Sequence, residues 1–141
     1  MKLHVHHLIA MMDMLDPTVV IPAVPPSDNR RKTRNPHTHQ IVTSGEVSVF
    51  QGHTHAALLS QGVELPRPPA IVFYRVFFKS ARRDITNCGK ALLDALYKQD
   101  KNVAGWPAPF SYVDRKNPRT EVWVVKLETD SPLNGVILRT Q

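Results

Sequence analysis

Ala70-Ile71-Val72-Phe73-Tyr74-Arg75-Val76-Phe77-Phe78-Lys79 is the stretch on which the fold turns. Apart from Arg75, every residue up to Phe78 is β-branched, aromatic or small. A run apolar at both odd and even positions has no polar face to give to water. It predicts a strand covered on both sides in the middle of a sheet. Upstream, Gln61–Pro69 is a proline-rich connector. Before that, Val47, Phe50, His53 or Thr54, and Ala57 or Leu58 recur at helical spacing, which predicts a helix over 44–59 with Ser44 near its start. Thr18–Ile21 is a β-branched run closed by Pro22 and reads as a first strand. Residues 1–16 read as a short helix or a loose extension. Downstream, Ile85, Cys88, Leu92, Ala95 and Leu96 line one face of a helix expected over 84–98, with Asp84 as its N-cap. Gly105–Pro109 reads as a break, Thr120–Leu127 as a second good strand, and Gly135–Arg139 as a short further one. These elements do not alternate strictly, so the expected fold is α/β in the broad sense (α+β), a mixed sheet with two helices packed on it. One domain is expected over 18–141, preceded by an N-terminal extension at 1–17.

Eighteen Lys and Arg stand against 12 Asp and Glu, a net charge of +6 and a pI near 9.8. Such a domain attracts polyanions at long range, which suits nucleic acid as a partner and also a ribosome-associated module. No apolar run is long enough to span a membrane. The first 16 residues carry Asp13, Asp16 and three histidines and lack a small-residue cleavage site, so a cytoplasmic protein is expected. A single cysteine, Cys88, excludes an internal disulfide framework and a Cys-rich zinc site, and its place on an apolar helix face suits packing. After the turn Pro25-Pro26-Ser27-Asp28-Asn29 comes a basic stretch, Arg30, Arg31, Lys32 and Arg34. It reads either as a solvated arm or as a grip on phosphates.

The chemistry concentrates at the entry to the third helical segment, Lys79-Ser80-Ala81-Arg82-Arg83-Asp84-Ile85-Thr86-Asn87-Cys88-Gly89-Lys90. Steps of three and four place Asp84, Asn87, Lys90 and Asp94 on one polar stripe. A hard divalent cation takes carboxylate oxygens, waters and a substrate phosphate, and a neighbouring lysine can offset charge on the attacked phosphodiester. The plainer alternative is that Asp84 caps the helix while Lys90 and Asp94 pair across one turn.

Three segments resemble the RusA family of Holliday junction resolvases, found in bacteria and many phages. Val20-Ile21-Pro22-Ala23-Val24-Pro25-Pro26-Ser27-Asp28-Asn29-Arg30 is similar to the family's strand ending in Pro-Pro-Ser-x-Asn-Arg. Val42-Thr43-Ser44-Gly45-Glu46 resembles the segment before its first long helix. Arg82-Arg83-Asp84-Ile85-Thr86-Asn87-Cys88-Gly89-Lys90-Ala91-Leu92-Leu93-Asp94-Ala95-Leu96 resembles its signature, an Arg-rich turn followed by Asp-x-Asp-Asn-x-x-Lys-Ala-x-x-Asp-Ala-Leu. The resemblance covers roughly 18–128. It implies a homodimeric, Mg2+-dependent (or Mn2+-dependent) endodeoxyribonuclease that cuts branched DNA in a bacterial or phage-infected cell. Catalytic roles fall on Asp84, Lys90 and Asp100, and metal ligation on Asp84, Asp100 and, weakly, Thr86. DNA contacts fall on Asn29, Arg30, Arg31, Lys32, Arg34, His37, Arg82 and Arg83. Thr86 stands where the family has its second acid, which lowers the expected affinity for a cation. Asp100, in Gln99-Asp100-Lys101-Asn102-Val103, takes the third acid's place, with Asp114 as the other candidate. A catalytically weakened DNA-binding relative is the main alternative, and a basic structural or ribosome-associated module the second.

Other residues point less sharply. His37-x-His39 and His53-x-His55 are spaced for a metal on a strand, but no third and fourth ligand accompanies either pair. Trp106, Phe110 and Tyr112 would either stack on exposed bases or pack in the core. Phe73, Tyr74, Phe77 and Phe78 suit a core or a dimer interface.

Overall fold

The computed structural model describes residues 5–27, 32–34, 36–38, 41–43, 45–81, 88–98 and 101–127. In chain order the elements are α1 (Val5–Met14), β1 (Val19–Ile21), β2 (Lys32–Arg34), β3 (Ile41–Thr43), α2 (Gly45–Ser60), β4 (Ala70–Phe78), α3 (Gly89–Tyr97), β5 (Val103–Pro107), β6 (Tyr112–Val113) and β7 (Arg119–Lys126). The apolar run is the central strand. β7 pairs with β4 antiparallel along most of its length, and β5 and β6 pair in succession with its other edge, both parallel. With β1 antiparallel on the far side of β7, the result is a mixed five-stranded sheet. β2 and β3 form a separate antiparallel pair, so the basic stretch at 32–34 is strand rather than a free arm.

Alternation along β4 divides the core. Val72, Tyr74, Val76 and Phe78 face α2 and α3, packing with Phe50, Ala57, Leu92, Ala95 and Leu96. Ile71 and Phe73 face the other way, with Trp123, and are covered by Leu8 and Met12 of α1. Leu8 and Met12 are one helical turn apart and share a stripe. The expected pair of helices is therefore corrected to three among the described residues. A strand apolar on both faces needs cover on both, and α1 supplies the second cover. The indole N–H of Trp123 donates to Leu15 O at 3.0 Å, fixing the end of α1 on the sheet.

α2 buries Val47, Phe50, Thr54 and Ala57, the stripe its spacing predicts. Thr54 rather than His53 points inward, because its hydroxyl donates to Phe50 O one turn back and so stays satisfied without water. The helix expected over 84–98 is shorter. It spans Gly89–Tyr97, and Cys88, not Asp84, occupies its N-cap position without a side-chain cap bond. Its buried stripe of Ala91, Leu92, Ala95 and Leu96 agrees with expectation, and Cys88 is buried beside it.

The expected break at Gly105–Pro109 is also corrected, since Val103–Pro107 is a strand. Gly105 lets α3 come close: a Cβ there would stand 3.0 Å from Leu93 Cδ1. Pro107 ends a strand at the rim of the sheet, where a missing N–H costs no ladder bond. Trp106 packs toward Phe73 and Tyr112 against Phe77, with ring centroids 6.4 and 5.0 Å apart, while Phe110 is exposed. At the opposite edge, Gln61 acts as a substitute strand for β1. Its Oε1 accepts the Val20 N–H at 3.0 Å and its Nε2 donates to Val20 O at 2.6 Å. The strand expected at Gly135–Arg139 lies outside the described residues.

Candidate functional site

A cleft of about 860 Å³ opens at the end of the central strand. Three separated segments build it. Ala23, Val24, Pro25 and Pro26 follow β1; Gly45, Glu46, Val49, Phe50 and His53 come from the first half of α2; Phe78, Lys79 and Ser80 finish β4. Arg115 completes the lining. The proline segment is held in place because the Thr120 hydroxyl donates to Ala23 O at 2.8 Å and Pro25 is fully buried. Apolar groups form the walls and floor, while Lys79, Arg115, His53 and Glu46 are exposed at the rim.

Arg115 sits in a turn that Asp114 organises. One carboxylate oxygen of Asp114 accepts the N–H groups of Lys116 and Asn117 at 3.2 and 3.1 Å, and the other accepts Arg119 Nη1 at 2.9 Å. The Asp114 N–H donates to Phe78 O at 2.8 Å, anchoring this turn to the end of β4. The Arg119 hydrogen bond, aided by the two turn N–H groups, holds the Asp114 carboxyl below its ordinary range. Both of its oxygens are committed to these contacts, which suits a structural acid better than a metal ligand.

On the α1 face the sheet carries a charged ladder that sequence reasoning missed. Register places Arg75 opposite Glu121 and Phe77 opposite Arg119. Arg75 donates to Glu121 Oε1 at 2.6 Å and to Asp13 Oδ1 at 2.9 Å, and Arg119 donates to Glu121 Oε2 at 3.0 Å. The Arg119 guanidinium lies 3.7 Å from the Phe77 ring centroid. Burial pulls the Arg75 pKa down, but the bonds to Glu121 and Asp13 outweigh it and the net shift is upward. One carboxylate thus joins β4, β7 and, through Arg119 and Asp114, the turn that presents Arg115. The sequence signal was weak: a lone arginine inside an apolar strand.

Of the residues expected at a site, Asn29, Arg30, Arg31, Arg82, Arg83, Asp84, Thr86 and Asp100 lie outside the described residues. Lys32 and Arg34 contribute backbone to β2. His37 is exposed in a turn, and Lys90 is exposed in the first turn of α3. Asp94 is half-buried one turn further on. His53 and His55 lie on α2, where residues two apart point in widely different directions, so they do not form the pair that a strand would make. Among the described residues, no group of three His, Cys, Asp or Glu side chains could hold a metal ion, and no helix is long and apolar enough to cross a membrane. Lys79 and Arg115 at the cleft are additions that only the tertiary structure supplies. In comparison with known proteins, the chain matches no family model and no curated protein.

Proposed function

We propose that this chain is a RusA-like endodeoxyribonuclease, a homodimer that hydrolyses phosphodiesters of branched DNA such as Holliday junctions in recombination and repair. One observation carries the reading. Pro25-Pro26, Gly45-Glu46 and Lys79-Ser80, which belong to or adjoin the three segments resembling the family, line one cleft although they are far apart in sequence. Nothing in their individual roles as turn, helix start and strand end requires them to meet. The chain leaves the cleft at Ser80, and the four residues on to Asp84 span at most about 14 Å.

In this reading Asp84 and Asp100, with the Thr86 hydroxyl as a neutral third oxygen, hold Mg2+, whose preference is for such hard donors. When bound there, such an ion would supply Lewis-acid polarisation of the phosphodiester and a more acidic water. Lys90 offsets the negative charge that develops on the attacked phosphate. Arg82 and Arg83, Lys32 and Arg34, and Asn29, Arg30, Arg31 and His37 contact DNA phosphates, consistent with the net charge of +6. The test is nicking of a four-way junction at varied Mg2+ or Mn2+. Asp84→Asn should abolish cleavage and leave junction binding intact, while Thr86→Asp should restore activity at low Mg2+. Equal nicking by parent and Asp84→Asn would refute the assignment. A specific observation keeps one rival in view: Thr86 is uncharged, which favours a DNA-binding relative without catalysis if no condition produces nicks.

A further inference from the structure

We propose that the cleft at the end of β4 receives one unpaired nucleobase of the bound DNA, with the adjoining phosphate held at the rim by Lys79 and Arg115. The inference rests on the DNA-binding part of the reading above and adds to it a place for a base.

The chemistry of the cleft selects this occupant. Its volume, about 860 Å³, falls in the range of about 300–1,000 Å³ typical of sites that enclose small organic groups. Val24, Pro25, Pro26 and Val49 supply flat or branched apolar surface over a floor of buried Phe50 and Phe78. Such walls suit the faces of a base, which lose little on leaving water. Two exposed cations, Lys79 and Arg115, stand at the mouth. An apolar slot whose rim carries two cations, Lys79 and Arg115, beside the single carboxylate of Glu46 fits a ligand that is flat and apolar at one end and anionic at the other, as a nucleotide is. Arg115 is also held where it is needed, because the Asp114 turn is anchored to Phe78. A branch point supplies the ligand at low cost, since unstacking is cheapest for a base that is already unpaired.

The experiment measures binding by fluorescence anisotropy without added metal, using a labelled oligothymidylate of about ten nucleotides, a duplex of the same length and a four-way junction. Val49 is 62% exposed, so Val49→Trp fills the mouth without disturbing the core. Val49→Trp should weaken oligothymidylate binding at least about fivefold, because the base loses its apolar burial in the cleft. Duplex binding should change less than about twofold. A second variant, Arg115→Ala, should weaken oligothymidylate binding and make its log–log salt dependence shallower by about 0.7, the loss of one single-strand phosphate contact. Equal effects of Val49→Trp on all probes, or none on any, would overturn the proposal. So would a change in oligomeric size without a change in oligonucleotide affinity, which would make the cleft an interface between copies. Absence of nicking with the Val49→Trp discrimination intact would remove the nuclease reading and leave the base site standing. Failure of the parent to bind any probe would overturn both.

Discussion

Replacing Gly89 by alanine tests how tightly α3 is seated against β4. A Cβ at this position would lie 2.6 Å from the Tyr74 hydroxyl oxygen and 3.7 Å from its ring carbon. Tyr74 is 2% exposed in the central strand, so its phenol has no room to swing away. Overpacking of this kind costs about 1–3 kcal/mol. Alanine's better helix propensity returns at most about 1 kcal/mol, less at the first helical position than in an interior. The expected net loss is roughly 1–2 kcal/mol, a fall in Tm of about 4–8 °C for a domain of this size. Thermal unfolding followed by circular dichroism reads it directly. In a Tyr74→Phe background the offending oxygen is gone, and Gly89→Ala should become neutral or mildly stabilising. Tyr74 has a further interaction of its own, and any cost of Tyr74→Phe alone is cancelled by the double-mutant cycle. If Gly89→Ala is as stable as the parent, or costs the same in both backgrounds, the close approach of α3 to β4 is not as described.

Three further outcomes follow from the same contacts. Glu121→Ala removes the carboxylate shared by Arg75 and Arg119; a loss of about 2–4 kcal/mol is expected, moderated because Asp13 and Asp114 remain, and appears as a lower urea midpoint at unchanged slope. Lys98 closes α3 at φ 49° and ψ 53°, a left-handed conformation that costs a side chain about 1 kcal/mol, so Lys98→Gly should raise Tm by a few degrees. Asp114 titrates below its ordinary value of 3.8 in the folded chain, so its contribution is present above that value and disappears as pH falls through the lowered one. Asp114→Asn should flatten that part of the acid-unfolding curve; an unchanged curve would mean that Arg119 does not grip this carboxylate.

Much of the scaffold was legible because single elements carry their own pattern. The unbroken run at 70–78 could only be a strand covered twice, and Val47, Phe50, Thr54 and Ala57 repeat at a period no strand shares. What escaped depended on neighbours. β5 was hidden by Gly105 and Pro107, whose tolerance at a sheet rim is decided by position rather than composition. The docking of α1 was hidden because Leu8 and Met12 find partners only once Ile71, Phe73 and Trp123 are assembled. The start of α3 was misjudged because side-chain periodicity says nothing about where backbone bonding begins. At the candidate site, none of the catalytic, metal or DNA-contact residues expected from the sequence lines the cleft, most of them lying outside the described residues, and Arg115 entered only through the Asp114 turn. The Arg75–Glu121 pairing needed strand register, which no local pattern encodes.

The covering of the sheet by α1 also has a consequence for how the chain is made. Leu15 and Trp123, which hydrogen-bond in the folded protein, are 108 positions apart, and Ala23 and Thr120 are 97 apart. During synthesis the N-terminal helix therefore leaves the ribosome with Leu8 and Met12 uncovered, and it stays so until β7 has emerged. Closure of such long loops precedes any reward from the contacts they bring, so folding should be slow and should complete only after nearly the whole domain is translated. A nascent chain stalled before Arg119 contains the segments of all three described helices but lacks the strand that joins β1 to β4. It would present apolar surface to the cell for as long as the stall lasts.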